Sequence, residues 1–280
     1  MFAILWASAA TATKIGLEVA QPLIIAQVRF AIASGIMLLF AHVFFKQKFP
    51  SGKEWIFLTI YGLLNITIYL GCYVIAMQNV TAGIGALAIA TNPLFISFLS
   101  IFFLRKKLSL NILIGLLLGT AGVVYASWPL LKEAQVTTSG LLLLLFSMLS
   151  YSVGAIYFSA KNGGRLTLLT INGWQTFIGG ILLLPFTFYE YKNSSNHFSF
   201  KFWSSTLWLA VAVSIFAVQL WLWLLKTNTI KAGLWLFLCP VFGFAIAAWL
   251  LNDRISSYTI IGVVLVMIGL FLGEKRVVDK

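Results

Sequence analysis

Few side chains within the apolar runs of this sequence can carry a charge or make a specific hydrogen bond, so those that do are informative. Arg29 is the only charge clearly inside such a run, near the end of the LIIAQVRF stretch that opens it. An arginine about two helical turns deep in hydrocarbon is costly, and functional by default unless it snorkels to the interface. Two roles suit that depth: a gating or structural one, capping carbonyls of neighbouring helices, and attraction of an anionic group such as a carboxylate. Depth alone favours the first.

Asn65, Tyr69 and Tyr73 are spaced by four and therefore share one helical face. Trp6, Asn92, Tyr151, Gln219 and Trp235 supply further mid-run stacking and hydrogen-bonding groups. Together these eight suit a pocket that takes an amphipathic solute, aromatic or not, by stacking and a few hydrogen bonds. The plainer alternative for any one of them is interhelical hydrogen bonding. Pro93 and Pro240 each remove a backbone donor, so the carbonyls of Ile89 and Leu236 should lose their usual helical partners. Either proline alone reads equally as a packing kink or a functional one, whereas their equivalent placement, described below, favours kinks that border a solute path and act with Arg29 as gating or structural elements.

Other chemistry lacks its groups. Glu18, Glu133, Glu190 and Asp253 fall in connections or at run ends, so no mid-run carboxylate is placed to carry a proton. His42 and His197 are far apart, and Cys72 and Cys239 each lie alone in apolar surroundings. No metal site, cofactor or catalytic group is expected, and a membrane enzyme is disfavoured.

The elements that must position these residues follow from composition. Of 280 residues, 61% are apolar and only 9% charged, with a mean hydropathy of +0.99. An ordinary soluble domain carries about 25% charged residues. Most of this molecule must therefore face lipid. Apolar runs fall at about 2–16, 23–45, 55–77, 81–104, 110–128, 139–160, 166–189, 204–225, 232–251 and 257–273. Their lengths suit helices that cross a bilayer, at about 20 residues each, and exceed barrel strands. The reading is an all-α membrane protein of ten transmembrane helices with no separate soluble domain. Met1 already sits in the first run.

Thirteen of the 19 Lys and Arg residues fall in one alternate set of connections, which includes 46–54, 105–107, 161–165, 226–231 and the tail after Gly273. That set should be cytoplasmic, with both termini inside. The +12 net charge is scattered over short loops, which removes the footing for nucleic-acid binding.

The chain also repeats itself. At an offset of 147, the stretch 93–125 aligns without gaps on 240–272, matching Pro93 with Pro240, Ser109 with Ser256, Gly115 with Gly262 and Gly122 with Gly269. Five runs per unit is an odd number, so the second unit enters from the opposite side and the repeats are inverted, over 1–130 and 131–280. Inverted repeats are associated with transporters that alternate access about a midplane site. The fifth and tenth runs carry Gly115, Gly119, Gly122, Gly262, Gly269 and Gly273 and few polar groups, which makes them packing scaffold, within a monomer or a weak homodimer.

These residues resemble the EamA-type branch of the drug/metabolite transporter superfamily. The resemblance rests on Trp6 with the small residues and Lys14 that follow it, on Leu23–Phe30, on Asn92-Pro93-Leu94-Phe95 through LRKKLS to Gly122, and on Cys239-Pro240-Val241-Phe242 through LNDRIS to Gly269. Gln175 stands where the second run has Arg29. One departure is Arg105-Lys106-Lys107, where the family usually carries a Glu. The resemblance implies a ten-helix inner (plasma) membrane transporter that exports a small metabolite such as an amino acid, with membrane lipid as its surroundings. A flippase for a lipid-linked or amphipathic substrate is the alternative.

Overall fold

Backbone amides find no water in hydrocarbon, so each apolar run must bond along its own length. A computed structural model describes residues 1–133, 137–161, 164–192, 195–251 and 256–274. Asp253, Arg254 and the basic tail residues Lys275, Arg276 and Lys280 lie outside them. The helical stretches, in order, are α1 (Phe2–Leu17), α2 (Pro22–Phe44), α3 (Lys53–Ala76), α4 (Ala82–Phe103), α5 (Leu110–Glu133), α6 (Thr138–Lys161), α7 (Leu168–Glu190), α8 (Phe200–Thr227), α9 (Thr229–Leu250) and α10 (Ser257–Glu274). Among the described residues seven of these, α2, α3, α4, α6, α7, α8 and α9, are long and apolar enough to cross a membrane. The apolar lengths of the other three, Phe2–Leu17, Leu110–Tyr125 and Ser257–Gly273, are shorter.

The packing comes in exchanged pairs. α1 lies on α9 and α6 on α4; α3 lies on α7 and α8 on α2; α2 meets α7, and α5 meets α10 along its length. At the α5–α10 contact the backbones touch at glycine: a Cβ on Gly115 would sit 2.7 Å from the Gly269 carbonyl oxygen, and one on Gly122 2.6 Å from that of Gly262. Without a hydrophobic force between helices in lipid, such close approach is what holds them.

Both proline helices are interrupted. α4 runs Ala82–Ile89 and resumes at Asn92, with Pro93 at its second position; α9 runs Thr229–Trp235 and resumes at Leu238, just ahead of Pro240. A proline in the first turn of a helix loses no bond. The Leu236 carbonyl, whose usual partner four residues on is Pro240, accepts from the Cys239 N–H at 3.0 Å. The chain corrects for the proline by tightening to three-residue turns ahead of it.

Candidate functional site

Two helices widen where they meet the centre of the bundle. In α3 the Gly71 N–H reaches back five residues to Ile66, and in α8 the Val218 N–H does the same to Val213. The widened stretches are Leu63–Leu70 and Leu209–Ala217, about 147 residues apart. Such turns free carbonyls and shift side-chain phase, and they recur at functional sites. Here a freed polar group is used at once: the Ser214 carbonyl accepts from Asn172 Nδ2 at 2.8 Å, and Asn172 Oδ1 accepts from Gln175 Nε2 at 3.1 Å. The Ser214 hydroxyl accepts from Arg29 Nε at 2.8 Å. A buried polar chain thus joins α2, α7 and α8.

This chain borders a central cavity onto which Trp6, Asn65, Tyr69, Tyr73 and Tyr151 are brought together, with Arg29, Gln175 and Trp221. Tyr151 sits at the hub of the aromatic side. Its ring centroid is 4.6 Å from Tyr69, 5.5 Å from Trp221 and 5.7 Å from Trp6, and Phe2 stacks on Trp221 at 5.7 Å. These are favourable aromatic separations. The room left is about 30 Å3, enough for one or two waters and too little for a metabolite. The stack therefore has to part before a solute can lie against it.

The polar side is under-satisfied. Asn65 Nδ2, Tyr73 Oη, Tyr151 Oη, Gln175 Oε1 and Trp221 Nε1 are buried without a hydrogen-bond partner among the described residues. A buried unpaired polar group costs roughly 1–3 kcal/mol. Five such atoms around one cavity, contributed by α3, α6, α7 and α8, are groups that a bound solute would satisfy. Arg29 is 3% exposed and makes no ion pair among the described residues. Glu18, the acid nearest to it in sequence, pairs with Lys201 instead.

Three of the sequence-selected residues lie elsewhere. Asn92 is buried in the α4–α6 seam, where its Oδ1 accepts from the Ser152 hydroxyl at 3.0 Å and its Nδ2 faces Met148 Sδ at 3.3 Å. Gln219 and Trp235 are half-buried and do not reach the cavity wall. Ser214 and Asn172 have no signal in the sequence, because their role arises from the widened turn of α8. Trp221 was noticeable only as a mid-run aromatic.

A second opening lies on the flank of the bundle. It is a groove of about 450 Å3 between α1, α8 and α9, lined mainly by apolar side chains from Ile4 and Ile15 on α1 to Trp208 on α8 and Trp249 on α9. Trp208 Nε1 donates to the Ser8 hydroxyl at 2.8 Å across it. From Ile4 to Ile15 the groove follows about 17 Å of helix, close to one leaflet of hydrocarbon, about 15 Å.

Comparison with known proteins agrees with this architecture. The EamA-like transporter family matches residues 1–128 and again 138–273. An uncharacterized transporter of Archaeoglobus fulgidus is 24% identical, the match covering 98% of this chain and 94% of the relative. Protein PecM of Dickeya dadantii is 26% identical over 95% of this chain and 88% of its own length. The uncharacterized inner membrane transporter YedA of Escherichia coli is 26% identical over 96% of this chain and 89% of its own. A crystal structure superposes with a TM-score of 0.80 at 18% identity, covering 98% of this chain and 94% of that one, and so shares the fold.

Proposed function

Because the chain belongs to the EamA-like transporter family, and so is a multi-span membrane transporter, we propose that it exports a small metabolite such as an amino acid across the inner membrane by alternating access. The observation that carries the reading is the central cavity: both halves of the chain line it, with buried polar atoms that lack partners beside a face of aromatic rings. The proposed arrangement is ten crossings in two inverted five-helix units with both termini cytoplasmic. The exchanged packing pairs and the two widened turns at one offset support it. In the cycle, the halves rock about the cavity, and the interrupted α4 and α9 absorb the bend. No acid lines the cavity among the described residues, which supports transport down the solute's own gradient without a proton-carrying carboxylate. The test is uptake into proteoliposomes of a panel of amino acids, organic acids and amines. Saturable flux of at least one solute, absent from protein-free vesicles, is expected; no flux across the panel would defeat the reading.

The flank groove favours a second reading, a flippase for an amphipathic substrate, because its mainly apolar lining runs along α1 for about a leaflet's depth. The same proteoliposomes discriminate. Translocation of a fluorescent lipid, with no flux of water-soluble solutes, would select it.

A further inference from the structure

Resting on the transport reading, we propose that the solute is an organic monoanion whose carboxylate docks on Arg29 while its apolar body lies against the Trp6–Tyr151–Trp221 stack. Arg29 carries five N–H donors in a rigid fork suited to carboxylate. Among the described residues only Nε has a protein acceptor, the Ser214 hydroxyl, and Arg29 as a whole is 3% exposed. Of the unpartnered groups on the cavity, Asn65 Nδ2 and Trp221 Nε1 are donors, the Tyr73 and Tyr151 hydroxyls can donate, and Gln175 Oε1 alone is an acceptor. A donor-rich cationic site without an acid complements an oxyanion.

Charge balance narrows the class further. A monoanion brings the loaded cavity to net zero. A zwitterionic amino acid leaves it at one positive charge, and a cation leaves it at two. Uncompensated charge in a low-dielectric interior is strongly disfavoured. Within the small-metabolite reading, charge balance therefore favours a carboxylate without a free ammonium group over an amino acid. Each cycle then carries one negative charge outward, and an interior-negative membrane potential drives export. At equilibrium the ratio across 100 mV is about fifty-fold.

Three matched probes test this in proteoliposomes under an imposed potassium diffusion potential: 3-phenyllactate, phenylalanine and 3-phenyllactamide, alongside the wider panel sorted by net charge. Monoanions, 3-phenyllactate among them, should accumulate several-fold to tens-fold when the lumen is positive and not when it is negative. The zwitterion and the amide should show no such dependence. Arg29→Gln should abolish anion flux and raise the melting temperature of the purified protein, since it removes an unpaired buried charge. Arg29→Lys should keep the sign of the voltage response at reduced flux. Flux indifferent to potential and to net charge, or an Arg29→Gln protein that melts lower yet transports normally, would overturn the inference and leave the transport reading standing. Absence of all flux would instead defeat the transport reading.

A separate observation carries a second inference. Glu18, in the α1–α2 connection, pairs with Lys201, the second residue of α8; Arg165, in the α6–α7 connection, pairs with Glu54, the second residue of α3, at 3.0 Å. Glu18 and Arg165 differ by 147, as do Glu54 and Lys201, the offset that matches Pro93 with Pro240. The two ion pairs are thus equivalent under the repeat, with acid and base exchanged, and each joins one half of the chain to the other. We infer that they are opposing latches, one on each membrane face, and that opening to one side breaks only that side's pair. Such exposed pairs shift a balance by at most about five-fold, which suits a cycle that must release them.

The test places a cysteine at Ala9 on the cavity wall, in a Cys72→Ala, Cys239→Ala background, and measures labelling by an impermeant maleimide from either face. Lys201→Gln should raise labelling from outside about two- to five-fold, Arg165→Gln should raise it from the cytoplasmic face by a similar factor, and the swap Glu54→Arg with Arg165→Glu should return it towards the parent. Both variants acting on the same face, or neither acting on either, would overturn the assignment.

Discussion

Replacing Gly179 by alanine tests whether the crossing of α3 and α7, beside the cavity, is set by backbone contact. A Cβ there would lie 2.4 Å from Ile66 Cβ and 2.7 Å from the Gly62 carbonyl oxygen, whereas ordinary contact begins at 3.4 Å. Neither neighbour is the tip of a flexible side chain, so the two helices must part by up to about an ångström. Overpacking of this kind costs about 1–3 kcal/mol. Parting also strains the bond that the Thr67 hydroxyl donates to the Gly179 carbonyl at 2.8 Å, worth about 1 kcal/mol. The melting temperature in detergent, followed by tryptophan fluorescence, should fall by about 5–15 °C, taking about 2–4 °C per kcal/mol. Gly35 is the control, because a Cβ on it meets nothing within 4 Å; Gly35→Ala should melt at or above the parent, since alanine favours helix by up to about 1 kcal/mol. Transport should fall with Gly179→Ala, because the displaced segment carries Gln175. If Gly179→Ala and Gly35→Ala melt within about 2 °C of each other, the close crossing is not what holds these helices and the reasoning fails.

Tyr73→Phe deletes a buried hydroxyl without a partner, so stability should hold or rise by up to about 1 kcal/mol while solute affinity falls; a clear loss of melting temperature would mean the hydroxyl is satisfied within the protein. Gly154→Ala would place a Cβ 2.2 Å from Asn65 Nδ2; the amide can swing into the cavity, so uptake kinetics should change several-fold with little effect on melting, and unchanged kinetics would remove Asn65 from the site. A cysteine at Ser195 should be labelled by an impermeant reagent in intact cells and one at Ser109 protected; the reverse pattern would invert the topology. With the potential clamped at zero, an imposed proton or sodium gradient should give no concentrative uptake, and several-fold accumulation that collapses with the gradient would reveal a coupling site.

Several levels of this protein were legible in its amino acids. Apolar runs of crossing length demanded helices, because lipid leaves backbone groups no other partner. The offset of 147 pairs Pro93 with Pro240, and both stand just past a helix interruption, where each removes a backbone donor and crowds the preceding turn. Asn65, Tyr69 and Tyr73 share one face by their spacing of four, a property of local geometry, and all three line the central cavity.

What the tertiary structure decided is which polar groups face one another. In a bundle bathed in lipid the outer face is as apolar as the core, so hydrophobic periodicity carries little information about phase. Asn92 therefore looked like a cavity residue and proved to be the partner of Ser152, and Gln219 and Trp235 turn away from the wall. The widened turn of α8 carries Ser214, which meets Arg29 of α2 and Asn172 of α7. The ion pairs of Glu18 with Lys201 and Glu54 with Arg165 bridge 183 and 111 positions. Only closure of the two halves on each other brings such distant charges together, because the free energy of an exposed pair is too small to direct the chain by itself.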